Sequence, residues 1–246
     1  MATIYTVGHS TRTLEELLAA LRGHGVTKLV DVRAFPMSRR LPHFNRESLE
    51  RDVSLRGIQY VWMKELGGRR RKMLQDSPNT ALRNESFRNY ADYMMTEEFA
   101  SAVARLLEIT EETAGPSTAR SPAQLVSRTK KHGERFAQDD KSNAGPSTSL
   151  PAVAPLGMTS QGDGAGGTAI MCAERMYFQC HRMLVSDYLV AHGCRVLHID
   201  DEKRAPREHT LMAEARLVGG KLVYDGAGCC EERSFKVKRP TQAKEA

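Results

Sequence analysis

The sequence lacks any long apolar segment. No run of residues approaches the roughly 20 apolar positions that a membrane-spanning helix requires, so no membrane association is expected. The first residues, Met-Ala-Thr-Ile-Tyr-Thr-Val-Gly, also lack the basic stretch and apolar run of a secretory signal. Both absences favour a cytoplasmic location.

The sequence also lacks the pattern of a disulfide framework. Its five cysteines are an odd number and follow no regular spacing, whereas disulfide-rich domains carry even, patterned sets. Free thiols are typical of a reducing compartment. The cysteine usage therefore agrees with the expected cytoplasmic location.

Apolar runs and amphipathic stretches alternate along the 246 residues. Strands are predicted over 4–7, 28–32, 58–63, 169–172 and 195–199, and a hairpin over 217–224. Helices are predicted after a capping box at Thr13 and Glu16, and over 87–94, 99–107, 183–192 and 208–216. This alternation predicts an α/β fold in one domain, with helices on both faces of a mostly parallel sheet.

One region does not share this alternation. Residues 114–168 are rich in Gly, Ser, Thr, Pro, Ala and Gln, and the tetrapeptide Gly-Pro-Ser-Thr occurs there twice. Such a segment cannot bury enough surface to offset its ordering entropy. We predict a disordered insertion over 114–168 between the two halves of the domain, 1–113 and 169–230, and a disordered tail over 231–246.

Polar side chains follow every predicted strand of the sheet. Because the carboxyl ends of parallel strands share one edge, where open α/β sheets bind ligands, we expect these residues to converge. They are His9, Ser10, Asp31, Arg33, Glu65, Cys172, Glu174, His198 and Asp200.

Residues 172–182, Cys-Ala-Glu-Arg-Met-Tyr-Phe-Gln-Cys-His-Arg, contain the sharpest candidate. A cysteine between a strand end and a helix start lies near backbone N–H groups that lower a thiol pKa. Cys172 is therefore a predicted nucleophile, with Glu174 or His181 transferring protons. The alternatives are an inert buried cysteine, or a metal site made of Cys172, Cys180 and His181, whose spacing matches no usual zinc pattern.

Asp31 and Arg33 leave two interpretations open. They form either a buried ion pair or an anion site in which Asp31 acts as an acid, a base or an orienting group. His9 follows Gly8 in a tight turn, and either transfers protons or has a structural role.

Positive charge is concentrated in one segment. Residues 33–72 hold eleven Lys and Arg against four Asp and Glu, a net charge of +7 in a chain whose total is +6. This excess favours an anionic small molecule or nucleic acid as partner, with a solvated surface as the alternative. Phe44, Tyr60 and Trp62 then either stack on a base or pack in the core.

Five short segments together resemble the domain-of-unknown-function family numbered 488. They are Thr6-Val-Gly-His-Ser10, Asp31-Val-Arg33 with Pro36 and Ser38-Arg39, Leu66-Gly-Gly68, Met171-Cys-Ala-Glu174 and Cys180-His-Arg182. The resemblance runs over about residues 3–110 and 168–226. It implies the α/β fold and a site containing these residues, including Ser10, Ser38, Gly67 and Gly68, but it supplies no reaction.

A weaker similarity in layout is to rhodanese-like domains. Their active loop separates a cysteine and an arginine by about five residues, whereas nine separate Cys172 from Arg182, so only a fold-level analogy remains. We expect a cysteine-dependent transferase or hydrolase in which Arg33, Arg39 and Arg182 hold an anionic substrate. The alternatives are a non-catalytic nucleic-acid-binding or regulatory module and a metal-binding protein. The sequence assigns no cofactor and no oligomeric state.

Overall fold

The computed structural model describes residues 1–114 and 166–226. The predicted insertion over 114–168 and the predicted tail over 231–246 fall almost wholly outside these residues. Their disorder therefore stays a prediction. What the described residues form is an α/β structure built on one central sheet.

The central sheet has six strands in the order β3-β2-β4-β1-β5-β6. The first five are parallel, and the short β6 is antiparallel to β5. Their bounds are β1 Thr3–Gly8, β2 Val26–Asp31, β3 Gln59–Trp62, β4 Gly167–Cys172, β5 Arg195–Ile199 and β6 Arg207–Glu208. Strand β4, from the second half of the chain, thus lies between β2 and β1 from the first half.

Five helices flank the sheet in the described residues. They are α1 Leu14–Gly23, α2 Arg46–Ser54, α3 Glu85–Met94, α4 Glu97–Ala114 and α5 Arg182–Ala191. Helix α1 begins at the predicted capping box, in which Thr13 and Glu16 satisfy each other's free backbone N–H groups. Asn84 caps α3 by accepting from the N–H groups of Ser86 and Phe87.

Two separate hydrophobic cores occupy the two faces of the sheet, as the alternation of side chains along each strand requires. Helices α1 and α2 pack on the face that contains Val7, Leu29 and Met171. Helices α3, α4 and α5 pack on the face that contains Ile4 and Ile170. The predicted fold, a mostly parallel sheet with helices on both faces, is confirmed.

Two predictions near the end of the domain have opposite outcomes. The hairpin is confirmed as β7 Ala215–Val218 and β8 Lys221–Tyr224, and Gly219 and Gly220 adopt the positive φ angles its turn requires. The helix predicted over 208–216 is wrong. There His209 donates its backbone N–H to Val196 of β5, so tertiary contacts replace helical hydrogen bonds.

The parallel register brings three strand ends together. Gly8, at the end of β1, pairs with Cys172 at the end of β4, and Asp31 of β2 pairs with Met171. The chain then turns over this edge, because the N–H groups of His9 and Ser10 bind the carbonyls of Cys172 and Ala173. The predicted convergence at the carboxyl edge is therefore present for β1, β2 and β4.

Candidate functional site

Two thiols and one imidazole form a compact cluster at this edge. Cys172 lies at the end of β4, and Cys180 and His181 directly precede α5. Their sulfur and nitrogen ligand atoms all lie within 4.8 Å of one another, and Cys172 Sγ is 3.9 Å from His181 Nδ1. All three residues are buried. We call Cys172, Cys180 and His181 the thiol cluster.

Arg182 is directed at one of the two sulfur atoms. Its backbone N–H and its guanidinium Nε donate to Cys180 Sγ over 3.4 and 3.2 Å. The Nη2 group binds the backbone carbonyls of Glu174 and Arg175, and Nη1 lies 3.4 Å from Thr6 Oγ1. Arg182 is only 1% exposed, so these contacts replace its hydration.

The buried charge of Arg182 lacks an acidic side chain as its partner among the described residues. No described carboxylate forms a salt bridge with Arg182, and a buried cation without a partner is costly. A thiolate on Cys180 would supply the missing negative charge.

The proton is therefore shared unequally between the two cysteines. A hydrogen bond from Cys172, together with His181 and Arg182, lowers the pKa of Cys180. The same hydrogen bond and burial raise the pKa of Cys172. The predicted nucleophile was Cys172, whereas the electrostatics of the cluster favour Cys180 as the thiolate and Cys172 as the thiol that donates to it.

His181 is held in an orientation suited to a metal ligand. Its Nε2 lies 3.2 Å from the carbonyl oxygen of Val32, which can only accept, so Nε2 donates to it, and its Nδ1 lies 3.9 Å from Cys172 Sγ. Metal-bound histidines commonly have such a carbonyl partner. Two sulfurs and one imidazole match the three protein ligands of an open zinc site, so the donor set is suited to a soft divalent ion.

Asp31 and Arg33 form a second buried group beside β3. Arg33 Nε and Nη2 donate to the Asp31 carboxylate over 2.5 to 3.0 Å, and its backbone N–H donates to Oδ1. Tyr60 Oη donates to Asp31 Oδ2 over 2.7 Å. Of the two interpretations of this pair, the buried ion pair is the one the contacts support. Two of the three guanidinium nitrogen atoms of Arg33 already bind Asp31. Anion binding by Arg33 stays a prediction.

His9 connects this ion pair to the loop after β1. Its Nδ1 lies 3.0 Å from the Ser10 carbonyl, its Nε2 lies 3.2 Å from Arg33 Nη1, and its ring stacks on Phe44. Burial and the charge of Arg33 lower the pKa of His9 to about 4, so the ring is neutral near pH 7. The proton-transfer role predicted for His9 is not tested by these contacts.

The remaining predicted residues lie around the thiol cluster in different ways. Gly68 contacts the His181 ring so closely that a side chain there would overlap it, and Gly67 contacts Ala34. Ser38 accepts from the Leu41 N–H within the loop before α2. Glu174 is exposed, and its backbone carbonyl rather than its carboxylate contacts Arg182.

Exposed cations lie on two loops that follow strands β2 and β3 at the carboxyl edge of the sheet. The loop after β2 carries Arg39 and Arg40, and the loop after β3 carries Arg69, Arg71 and Lys72; no described residue forms a salt bridge with any of them. The two loops approach each other where the Arg69 guanidinium lies over the Phe35 ring. Phe35 and Met37 are 65% and 81% exposed. We call this surface the basic rim.

The aromatic residues considered for base stacking are mostly in the core. Phe44 and Tyr60 are buried, and the Trp62 ring is half-buried beneath the Arg46 guanidinium. The base-stacking interpretation is therefore wrong for Phe44 and Tyr60. The exposed aromatic side chain of the basic rim is Phe35, which was not proposed.

Several polar residues of this region were missed. Asp187 and His209 are buried and hydrogen-bonded to each other, next to the residues that Arg182 contacts. One signal was available for Asp187, because it lies within the apolar stripe of α5 beside Leu184 and Tyr188. A carboxylate in that position must be buried, and a buried carboxylate needs partners.

Residues 13–117 match a family model described as Domain of unknown function DUF488. The chain resembles the DUF488 family. The match covers α1 through α4 with β2 and β3, and it does not include the thiol cluster. No curated protein and no solved structure matches the chain. The layout similarity to rhodanese-like domains stays a prediction.

Across residues 1–114 and 166–226, no helix combines the length and the apolar content needed to cross a bilayer.

Proposed function

We propose that this protein is a thiol-dependent enzyme that acts on an anionic substrate at the carboxyl edge of the sheet. The single observation that carries the proposal is the contact between Cys180 Sγ and two N–H groups of Arg182, a buried cation with no described carboxylate partner. Arrangements of this kind stabilise thiolates, which are the reactive form of cysteine.

The residues of the thiol cluster divide the chemistry between them. Cys180 attacks an electrophilic centre of the substrate, a sulfur–carbon or sulfur–phosphorus bond forms, and the leaving group departs with its electron pair. The Cys172 thiol, which donates to Cys180, supplies the proton that the leaving group needs. Water in a hydrolase, or an acceptor in a transferase, then displaces Cys180 and returns that proton.

The basic rim supports an anionic substrate. Its five cations form no salt bridge with a described residue, and they lie on the two loops that contact His181 through the Val32 carbonyl and Gly68. Concentrated positive charge attracts anions to a site. The exposed Phe35 among these cations suits a substrate that also carries an aromatic base. Nucleotides and nucleic acids are therefore the substrate classes to test first.

We propose that the protein works in a reducing compartment of the cell. Cys172, Cys180 and Cys194 are free thiols, and Cys172 and Cys180 lie close enough to be oxidised together. A cytoplasmic setting would keep them reduced.

The thiolate is tested by the pH dependence of alkylation. Iodoacetamide labelling of Cys180, followed by peptide mass spectrometry from pH 4 to 9, should show a midpoint below pH 6, against about 8.5 for an ordinary thiol. Cys194, buried away from the cluster, is the internal control, because burial raises its pKa. A Cys180 midpoint at or above that of a model thiol would remove the basis of the proposal.

Substrate binding is tested at the basic rim. Binding of a fluorescent single-stranded oligonucleotide should weaken with salt and should weaken further in the double variant Arg39→Ala, Arg40→Ala. Arg51→Ala is the matched control, because Arg51 is exposed but paired with Asp52. If binding is lost while Cys180 stays acidic, the rim binds the substrate. If binding persists unchanged, the substrate is not held there.

A metal site is the second candidate, favoured by the orientation of His181 towards Cys172. In that case Cys172, Cys180 and His181 would bind a Zn²⁺ ion with one open coordination position. Metal analysis of freshly purified protein separates the candidates. Stoichiometric zinc that disappears in Cys180→Ser, but not in Cys194→Ser, supports the metal site, whereas metal-free protein with an acidic Cys180 supports the thiol enzyme.

A further inference from the structure

A chain of buried hydrogen bonds continues from Arg182 into the fold. Thr6 Oγ1, on β1, lies 3.4 Å from Arg182 Nη1 and 2.8 Å from His198 Nδ1 on β5. His198 Nε2 lies 2.9 Å from His209 Nδ1, and His209 Nε2 lies 2.9 Å from Asp187 Oδ1. We call Thr6, His198, His209 and Asp187 the buried network.

The direction of the hydrogen bonds in the network follows from its two ends. The Asp187 carboxylate can only accept, so His209 donates to it from Nε2, and the Arg182 guanidinium can only donate, so Thr6 Oγ1 accepts from it. The Thr6 hydroxyl hydrogen is then directed at His198 Nδ1, and the neutral His198 ring donates from Nε2 to His209 Nδ1. The oxygen of Thr6 is left with its lone pairs facing Arg182 Nη1, which donates to it.

The far end of the network is rigidly held. Asp187 also accepts from the Met212 N–H over 3.0 Å and from the Tyr224 hydroxyl over 3.1 Å. The His198 ring stacks on Tyr177 with the ring centres 3.6 Å apart. All four network residues are buried, and burial lowers the pKa of His198 to about 3, so this ring stays neutral.

We propose that the buried network positions the guanidinium of Arg182 on Cys180 Sγ. Thr6 is the member that touches Arg182, and the two histidines and Asp187 fix the direction of its hydroxyl. Without an acceptor at Thr6, Nη1 would be a buried donor with no partner, and the guanidinium would turn away from the sulfur to satisfy it. These are positioning residues, because none of them touches Cys180.

Other groups also face Cys180 and stay constant in the test. They are Cys172 from β4, His181 from the turn before α5, and Tyr90 from α3, which contacts the His181 ring. None of them belongs to the buried network. A change made at Thr6 therefore reaches the sulfur through Arg182.

The test compares Thr6→Val with Thr6→Ser and with Thr168→Val. Valine keeps the shape of threonine but removes the hydroxyl, and serine restores it. Thr168 is the matched control, because it is equally buried on the adjacent strand β4 and its hydroxyl donates to Thr113 rather than to the buried network. The readout is the alkylation midpoint of Cys180, measured as for the wild-type protein.

The expected result is a midpoint raised by about one pH unit in Thr6→Val, a tenfold change in the acid dissociation constant. Thr6→Ser and Thr168→Val should keep the wild-type midpoint. Should Thr6→Val fail to fold, His198→Phe preserves the ring stacking on Tyr177, removes both hydrogen bonds, and should raise the midpoint in the same direction.

The inference rests on the proposed thiolate, and the two fail differently. An ordinary midpoint in the wild-type protein removes the thiolate itself. An acidic midpoint that is the same in the wild-type protein and in Thr6→Val overturns the buried network alone. Equal shifts in Thr6→Val and Thr168→Val would also overturn it, because they would indicate general loosening of the sheet.

Discussion

At the scale of single residues, the two buried arginines at the sheet edge have different counter-charges. Arg33 is paired with the Asp31 carboxylate, whereas Arg182 donates to a cysteine sulfur and to neutral oxygens. A carboxylate is charged throughout the neutral range, but a thiol is charged only if its surroundings make it so. The first pair is therefore suited to a structural role, and the second is suited to the reactive thiolate of the proposed function.

Removing Asp31 should expose the structural role of the first pair. Asp31→Ala leaves the Arg33 charge buried and the Tyr60 hydroxyl without its acceptor, so the free energy of unfolding should fall by about 3–5 kcal/mol. Urea unfolding measures this loss. Glu15→Ala breaks the exposed ion pair with Arg56 and should cost about 1 kcal/mol or less. Equal losses would mean that the Asp31 pair is not effectively buried.

His9 should make stability depend on pH on the acid side. Its pKa is lowered to about 4 in the folded protein by burial and by Arg33, against about 6.5 in the unfolded chain. Between these values the unfolded state binds the proton, so the free energy of unfolding should fall by about 3 kcal/mol as the pH drops from 6.5 to 4. Urea unfolding at several pH values across this range measures the effect. The free energy of unfolding should depend less on pH in His9→Gln, and it should keep the wild-type pH dependence in His24→Gln, whose side chain is half-exposed.

At the scale of secondary-structure elements, the end of β1 lies unusually close to the turn after β4. A side chain at Gly8 would overlap the backbone carbonyl of Glu174, the same carbonyl that binds Arg182. Gly8→Ala should therefore lower the free energy of unfolding by about 3 kcal/mol or more. Gly25→Ala is the comparison, because Gly25 has a positive φ and open space, and its strain costs about 1–2 kcal/mol. Similar losses in both variants, measured by thermal unfolding, would contradict the close approach.

The elements were predictable where one kind of pattern dominated. The stripe of α1 is preceded by a capping box, and the buried runs of β2, β4 and β5 are short and continuous. Helix α2 was missed because only Leu49 and Val53 anchor it among charged residues. The helix predicted over 208–216 is wrong for a different reason: no local pattern indicates that His209 pairs with β5.

The location of the site at the carboxyl edge of the sheet was predictable, but the contacts between its atoms were not. Parallel strands end at the same edge of a sheet, so His9, Asp31 and Cys172 could be expected at that edge. Which cysteine carries the charge depends on where Arg182 points, and Arg182 contacts Thr6, which is 176 residues away in sequence. Local sequence contains no information on such a contact.

At the scale of the whole molecule, the two ends of the segment 115–165 are neighbours. Thr113 in α4 and Thr168 in β4 have hydroxyl groups 3.2 Å apart, so a short connection can join them. Replacing residues 119–161 by a six-residue Gly/Ser linker should leave the fold intact and raise the free energy of unfolding by about 1 kcal/mol, because a shorter loop costs less closure entropy. Urea unfolding tests this, with Cys180 alkylation as the check on the site. A large loss of stability would show that the segment contributes to the core.

The position of β4 in the sheet also determines when the strands can pair during translation. Strands β1 and β2 are synthesised early but do not pair with each other. Each pairs instead with β4, the strand that ends at Cys172 and is synthesised much later. During translation the nascent chain therefore carries two unpaired strand edges until most of its length has left the ribosome, and unpaired edges promote aggregation. Slow translation of the residues before β4 would lengthen that exposure, and the thiol cluster can assemble only once it ends.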